Sequence, residues 1–368
     1  MPSKQIVVIG GGIAGLSATW RLAERGAEVL LLERESVLAA HSSGRNAAIW
    51  MPIEDDRSTG MLARLSATLL DGLIGAGRWS IPRGALVLAE TRGILEGAER
   101  GARASGLRTR RLDAEEARLL SPALEPDSSL HALHIPEAAE LDIHAMHEAI
   151  ARRARALGAR LRLRAEVEGI VTAEGRVRGV RLLDGEPIEA ARVVIAGGAW
   201  AQRIGRSAGS PLPITPLRRH LHLLEARPPR AGCIVWRYGA HEAYYRPETN
   251  GVLACACDEE RVEPSLPEVA PAAAEGLALR LQRLAPELTS AALRRSWGCL
   301  RTFAPDRELV IGEDPRLRGL SWLAGLGGRG MSVGVGAAEL LARLLLAELC
   351  AEELGRMEIF SPSRLLAR

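Results

Sequence analysis

The sequence is almost without lysine: Lys4 stands alone among 48 lysines and arginines. Nothing beyond the N-terminus can therefore form a Schiff base or present an ammonium group to a substrate. The arginines are scattered among 45 acidic residues, leave a formal net charge of +3, and form no stripe interleaved with aromatics, which argues against nucleic acid as a partner. Paired cysteines are missing too. The five present, Cys233, Cys255, Cys257, Cys299 and Cys350, are odd in number and lack metal-ligand spacing, so neither a disulfide scaffold nor a metal site is expected. Strand alternation puts Cys255 and Cys257 on one face, where small buried apolar residues are the plain reading. No apolar run reaches the length of a membrane-spanning helix, and the N-terminus enters a core strand within a few residues, so no signal peptide is expected. A cytoplasmic protein with no integral membrane segment is expected. Aromatic residues make up only 3% of the chain, so any place where they gather carries information.

What is present starts with residues 4–33. Gln5-Ile6-Val7-Val8-Ile9 has the β-branched residues of a buried parallel strand and runs into Gly10-Gly11-Gly12-Ile13-Ala14-Gly15. A helix is expected from Ala14 to Arg25, stopped by Gly26, and Glu28-Val29-Leu30-Leu31-Leu32 reads as a second strand closed by Glu33. This is G-x-G-x-x-G in the context that binds a dinucleotide. Gly10 permits the tight turn, Gly12 lets the backbone approach a pyrophosphate, Gly15 permits close helix–strand packing, and Glu33 is placed for a ribose hydroxyl. The unit by itself allows NAD or FAD.

With 368 residues, the chain has room for two domains or for one with an insertion. After Glu33, the loop His41-Ser42-Ser43-Gly44-Arg45-Asn46-Ala47-Ala48-Ile49-Trp50 can lie flat against a ligand. A helix is expected over 58–77, a strand over 82–90, and charged helices over 96–103 and 113–120. The chain then returns with a helix over 143–157, one strand over 161–170 carrying Val167, a hairpin over 177–190, and a buried strand from Arg192 into Gly197-Gly198-Ala199-Trp200. Two strand-to-glycine turns in one sheet can face the same ligand. Between 211 and 300 the runs 220–224, 233–238, 242–246 and 252–255 read as antiparallel strands, with a helix over 272–284, and the region holds all three tyrosines, whose gathering suits either a site wall or a domain core. Strands at 309–312 and 320–324 precede Gly325-Leu326-Gly327-Gly328-Arg329-Gly330, which leads into a helix over 332–349 and offers a third helix N-terminus to partial negative charge.

Taken together and in this order, these motifs, with Trp297-Gly298-Cys299-Leu300-Arg301 and Pro305-Asp306, resemble the D-amino-acid oxidase superfamily of FAD-dependent oxidoreductases, which includes glycine and sarcosine oxidases and D-amino-acid dehydrogenases. The Ser-Gly-Arg loop is most similar to D-arginine-type dehydrogenases. The resemblance implies an α/β protein: a doubly wound FAD-binding domain over 1–80, 141–212 and 302–368, with a mainly antiparallel β substrate domain inserted over 81–140 and 213–301. It implies FAD held by Gly10, Gly12, Ile13, Ala14, Gly15, Glu33 and Arg34. Ser42, Ser43, Arg45, Asn46, Ala47 and Ala48 would lie beside the flavin, Val167 would pair with adenine through its backbone, and Gly197 and Trp200 would lie near the pyrophosphate and ribityl chain. Gly327, Gly328, Arg329 and Gly330 would approach the flavin's pyrimidine edge, together with Arg301.

The implied reaction is oxidation of an amino-acid amine by hydride transfer from the α-carbon to flavin, giving an imine that hydrolyses to an oxo acid and ammonia. A D-amino acid is the expected substrate, with glycine, sarcosine or another secondary amine as alternatives. A flavin subunit that needs an electron-accepting partner is a further alternative, and a flavin-binding protein without catalysis is another. Arginine matches a carboxylate through two parallel charge-assisted bonds. Arg301 stands where relatives place such an arginine. Arg219 resembles a second, although alternation leaves Arg218 open, and Tyr244, with Tyr245 as the other choice, resembles a tyrosine that closes over the substrate. No general base is expected, and His220, His222 and His241 read as ordinary strand or loop residues. Three positions depart from the relatives. Ile49 replaces a histidine, Arg329 replaces an aromatic residue and either enters the pocket or points to solvent, and Cys299 stands where sarcosine-oxidase-like relatives attach flavin covalently.

Overall fold

The structure is a computed structural model that describes residues 4–54, 57–124, 131–226 and 232–366. Among these residues the runs Ile6–Ile9, Val29–Leu32, Arg192–Ile195 and Leu320–Ala324 are the buried strands of one sheet. Its order is Val310–Glu313, Leu320–Ala324, Arg192–Ile195, Ile6–Ile9, Val29–Leu32, Arg160–Arg162, and every pair is parallel except the first. A parallel strand buried on both faces needs apolar residues at consecutive positions, which is why these runs do not alternate. Val8, opposite Val194 and Leu31, faces a layer of helices, Ile13–Ala23, Arg57–Ile74, Ile143–Ala156 and Gly330–Leu345. Val7, Ile9 and Val193 face the other way, onto the antiparallel sheet Val167–Ala173, Arg176–Leu182 and Pro187–Glu189 and the short helix Ala201–Ser207. The α/β class with a parallel nucleotide-type sheet is therefore as expected from the sequence.

One strand expectation fails. Residues 161–170 do not form a single strand: Arg160–Arg162 ends the main sheet, and Val167–Ala173 starts the covering sheet. Arg164, at φ +54°, turns the chain between them, and its N–H and that of Ala165 are satisfied by the carbonyls of Glu35 and Glu33. Nothing local marks the break, because the arginine-rich run has no glycine or proline. Val167 thereby leaves the plane of the main sheet and reaches the open end of its strands.

A second sheet runs in the order Glu260–Arg261, Thr215–Glu225, Gly251–Cys255, Ala243–Glu248, Ile234–Tyr238, Ala85–Ala89, His131–Ile135, Arg110–Leu112, and Ala292–Phe303 pairs along the other side of Thr215–Glu225. It is antiparallel apart from Ile234–Tyr238 on Ala85–Ala89, a parallel pair that joins the two separated stretches of chain. The sequence expectation of antiparallel pairing did not foresee this contact, which needs a long crossover. The strands His131–Ile135 and Ala292–Phe303 were also not expected as strands. In the latter the first four positions are exposed, so the alternating pattern is lost where it would announce the strand.

Candidate active site

The ends of the main-sheet strands and one face of the second sheet enclose a cavity of about 720 Å³. At one end lies the glycine turn. Gly10 has φ +111°, and a Cβ there would lie 2.6 Å from the carbonyl oxygen of Ala196; a Cβ on Gly15 would lie 1.9 Å from the carbonyl oxygen of Gly10. These two contacts bring the strands Ile6–Ile9 and Arg192–Ile195 together and seat the helix Ile13–Ala23 on them. The buried carboxylate of Glu33 accepts the N–H groups of Gly11 and, at 2.8 Å, Glu35. A carboxylate has about four acceptor positions, so both oxygens keep capacity for ribose hydroxyls. Ser43 Oγ accepts the Ile13 N–H at 2.9 Å, and a Cβ on Gly12 would lie 3.0 Å from that oxygen, so glycine keeps the approach to the helix N-terminus clear. Val167 and Trp200 line this arm of the cavity, and the Arg34 guanidinium lies 4.3 Å from the Trp200 ring centre. Acid, glycine cradle and helix terminus are the donor set that an adenine dinucleotide requires, and the residues present fit FAD.

The loop after Glu33 is stitched to the second sheet. Ser42 donates to the Leu300 carbonyl, Arg45 Nε to the Gly298 carbonyl at 3.2 Å, and Trp297 Nε1 to the Arg45 carbonyl at 2.9 Å. Asn46 holds the turn by donating to the Ser43 carbonyl at 2.6 Å and accepting the Ala48 N–H at 2.7 Å. Ala47, Ala48 and Ile49 consequently line the cavity midway along it. Gly327, at φ +57°, places its hydrogen against Phe303, where a Cβ would lie 2.6 Å from the ring; a Cβ on Gly328 would lie 3.3 Å from Arg301 Nη1. The helix Gly330–Leu345 then starts at the cavity wall.

Register decides what the sequence left open. Arg219 lies opposite Cys299 and Leu217 opposite Arg301, so Arg219 and Arg301 share the cavity face of neighbouring strands. Arg218 points away and is bonded to Glu260 and to the Glu268 carbonyl. Arg219 donates to the carbonyls of Cys257, at 3.0 Å, and Asp258, at 3.3 Å. Arg301 Nη2 donates to Glu259 at 2.7 Å, whereas its Nε is buried with no hydrogen-bond partner among the described residues. Burial, and then the neighbouring Arg219 charge, push the Arg301 pKa down, while the charge of Glu259 works the other way. Tyr244 packs on Trp236 with ring centres 4.4 Å apart and lines the cavity, while Tyr245 turns into the core and shares a 2.6 Å hydrogen bond with Ser121.

Arg329 touches the cavity, but its guanidinium donates to Thr59 Oγ1 at 2.7 Å and to the Arg307 carbonyl at 2.9 Å. Both of those bonds lead back to the chain. His220 is tied through Nδ1 to Asp258 at 2.6 Å and through Nε2 to the Ala270 N–H at 3.0 Å; His222 bonds Ser296 at 2.8 Å. Among the lining residues that sequence reasoning did not single out are Trp236, Glu242 and Glu259. Alternation from Tyr244 could have found Glu242, two residues earlier on the same face. Glu259 lies in a loop and has no such signal.

Cys299 also lines the cavity, but burial pushes its thiol up to about 11, so it is a poor nucleophile at neutral pH. The flavin is expected to be released on denaturation. Yellow colour that stays with the precipitated chain would show a covalent link. Among the described residues no group of histidines, cysteines and acids could hold a metal ion, and no helix is long and apolar enough to cross a membrane.

The family described as DAO, FAD dependent oxidoreductase, matches residues 5–344. Among curated proteins the chain is 27% identical to the mitochondrial pyruvate dehydrogenase phosphatase regulatory subunit of Mus musculus, over 96% of this chain and 43% of that protein. It is 27% identical to the glycine oxidase of Pseudomonas putida, over 87% of this chain and 88% of that one. The chain thus spans less than half the length of the first relative but most of the second. Among solved structures, L-proline dehydrogenase from P. horikoshii superposes with a TM-score of 0.86 at 23% identity, covering 99% of this chain and 98% of that one, which shows the shared fold.

Proposed function

The chain belongs to the DAO family of FAD-dependent oxidoreductases, and from that premise we propose that it oxidises the amine of a small amino acid to an imine, which water hydrolyses to an oxo acid and ammonia. FAD supplies the two-electron acceptor. The chain's own part is to bind and orient the substrate. The observation that carries the reading is the pair of buried guanidinium groups, Arg301 and Arg219, on one cavity face, with Arg301 Nε unpartnered among the described residues. A carboxylate is the anion whose two oxygens match such a fork, and fixing it orients the α-carbon and amine along the cavity.

The rest of the wall supports a narrower choice. Trp236 and Tyr238 stack at 5.4 Å between ring centres, 9° from parallel, and Tyr244 lies against the Trp236 ring. Glu242 accepts the Trp236 indole N–H at 3.0 Å and lines the cavity beside them. One strand separates Arg219 from the strand that follows Glu242, a spacing of roughly 10 Å. Carboxylate clamp at one end, and aromatic faces with an acid at the other, suit an amino acid whose side chain ends in a cation. The D-configuration expected from the serine-glycine-arginine loop finds no support in the relatives, whose names speak of glycine and L-proline. A cytoplasmic setting and an electron-accepting partner belong to the same proposal.

The test is anaerobic bleaching of the bound flavin by a panel of D- and L-amino acids, glycine and N-methyl glycine. Basic amino acids are expected to bleach it fastest, and Glu242→Gln to slow them about 10-fold while leaving neutral ones nearly unchanged. If neutral substrates lead and Glu242→Gln has no selective effect, the narrower choice is wrong. The similarity to a phosphatase regulatory subunit favours a second reading, a flavoprotein without turnover. No bleaching with any amine would select it.

A further inference from the structure

Glu259 occupies the space between the arginines. Its Oε1 lies 2.7 Å from Arg301 Nη2, 2.8 Å from Arg307 Nη2 and 3.6 Å from Arg219 Nη2. Its Oε2 lies 3.2 Å from Arg307 Nη1. We propose that Glu259 is a resident carboxylate of the clamp, competing with the substrate's carboxylate for Arg301 and Arg219 and retreating onto Arg307 when the substrate binds. This rests on the reading of Arg301 and Arg219 as a carboxylate clamp.

The division of bonds shows which partner would let go. Arg307 grips both oxygens of Glu259, whereas Arg301 holds one oxygen through one N–H and Arg219 is beyond hydrogen-bond distance. Release from Arg301 therefore leaves Glu259 paired, and no ion is stranded. Both members of the retained pair can move. Glu259 ends a stretch, residues 256–259, without regular structure, and the Arg307 side chain is 55% exposed, resting on the Phe303 ring at 4.0 Å. The exchange also fits the charges. Glu259 screens three guanidinium groups from one another; with a substrate carboxylate on Arg301 and Arg219, Glu259 and Arg307 remain as a neutral pair. Burial works against the Glu259 charge, but the hydrogen bond from Arg307 and the charge of Arg301 hold its carboxyl below the usual carboxylate range, so it competes as an anion at neutral pH.

A positioning role for Glu259, in which it merely steadies Arg301, predicts the opposite sign. The holoenzyme is titrated by calorimetry with benzoate, a carboxylate that carries no oxidisable amine, in parallel with thermal unfolding to confirm folding. Glu259→Gln is expected to tighten benzoate binding about 10-fold, since a neutral amide competes less well than an ion for a charged fork. Arg307→Gln is expected to weaken it, because Glu259 then has only the clamp to pair with, and Glu259→Gln in that background is expected to restore tight binding. Glu260→Gln, which removes the same charge from the partner of Arg218 on the far face, is expected to leave binding unchanged. Binding by Glu259→Gln that equals or falls below the parent's, or tightening by Glu260→Gln of the same size, overturns the inference. Arg301→Gln separates the two levels. If it binds benzoate as the parent does, the clamp reading has failed; if it loses binding while Glu259→Gln gains none, only the competition has failed.

Discussion

Replacing Arg301 with alanine is expected to lower kcat/KM for the amino-acid substrate by roughly 1000-fold, about 4 kcal/mol, the cost of removing one partner from a desolvated, hydrogen-bonded charge pair. The buried position of Arg301 makes the loss large. Its side chain is only 10% exposed, so the carboxylate that alanine would leave to Arg219 alone regains little solvation in exchange. Most of the loss should fall on KM and on benzoate affinity, with a smaller part on kcat through looser orientation of the α-carbon. Arg301→Lys should recover only part of it, because an ammonium cannot supply the two parallel donors of the fork. The change also leaves Glu259 one cation short, although Arg307 still holds it. Turnover of Arg301→Ala at the parent's rate would remove the carboxylate clamp from the account.

The second large effect is expected from Gly15→Ala. The added methyl would sit 1.9 Å from the Gly10 carbonyl oxygen, an atom of the backbone that cannot swing aside. To relieve it, the helix Ile13–Ala23 must lift from the sheet, and with it the N–H groups proposed to meet the pyrophosphate. Overpacking of a tight core costs about 1–3 kcal/mol in stability, but the loss of flavin should be nearly complete, because the cradle is distorted at its closest point. The purified variant is expected to be colourless and to melt at a lower temperature than the parent. Gly72→Ala makes the control. It lies in the helix Arg57–Ile74 with nothing within 4 Å of its added methyl, so it should keep the flavin and gain up to about 1 kcal/mol from helix propensity. A Gly15→Ala protein with a full complement of flavin would contradict the role assigned to that contact.

Both effects start from residues legible in the sequence, and they were legible for different reasons. Gly10, Gly12, Gly15 and Glu33 announce themselves by spacing within one local unit, because strand, turn and helix impose fixed intervals on the residues that meet a phosphate. Arg301 was found through the resemblance of a short motif. For the other arginine and the tyrosine, alternation gave pairs, Arg218 or Arg219 and Tyr244 or Tyr245, and could go no further. A strand has two faces, and its own sequence does not say which of them meets a cavity built by other strands. The pairing of Thr215–Glu225 with Ala292–Phe303 places Arg219 and Arg301 on one face.

What the sequence by itself determined, then, is the class of fold, the adenine-dinucleotide unit and, through the resemblance, FAD. Those features depend on residues near one another in the chain, and local geometry enforces their order. Only the tertiary structure decided where Arg329 spends its donors, how the strand expected over 161–170 breaks at Arg164, and that Glu259 lies among the arginines. Glu259 and Arg301 are 42 positions apart, and Arg329 and Thr59 are 270 apart. Contacts over such distances leave no periodic trace in a single sequence, because they are set by how two sheets and their loops close around the same cavity.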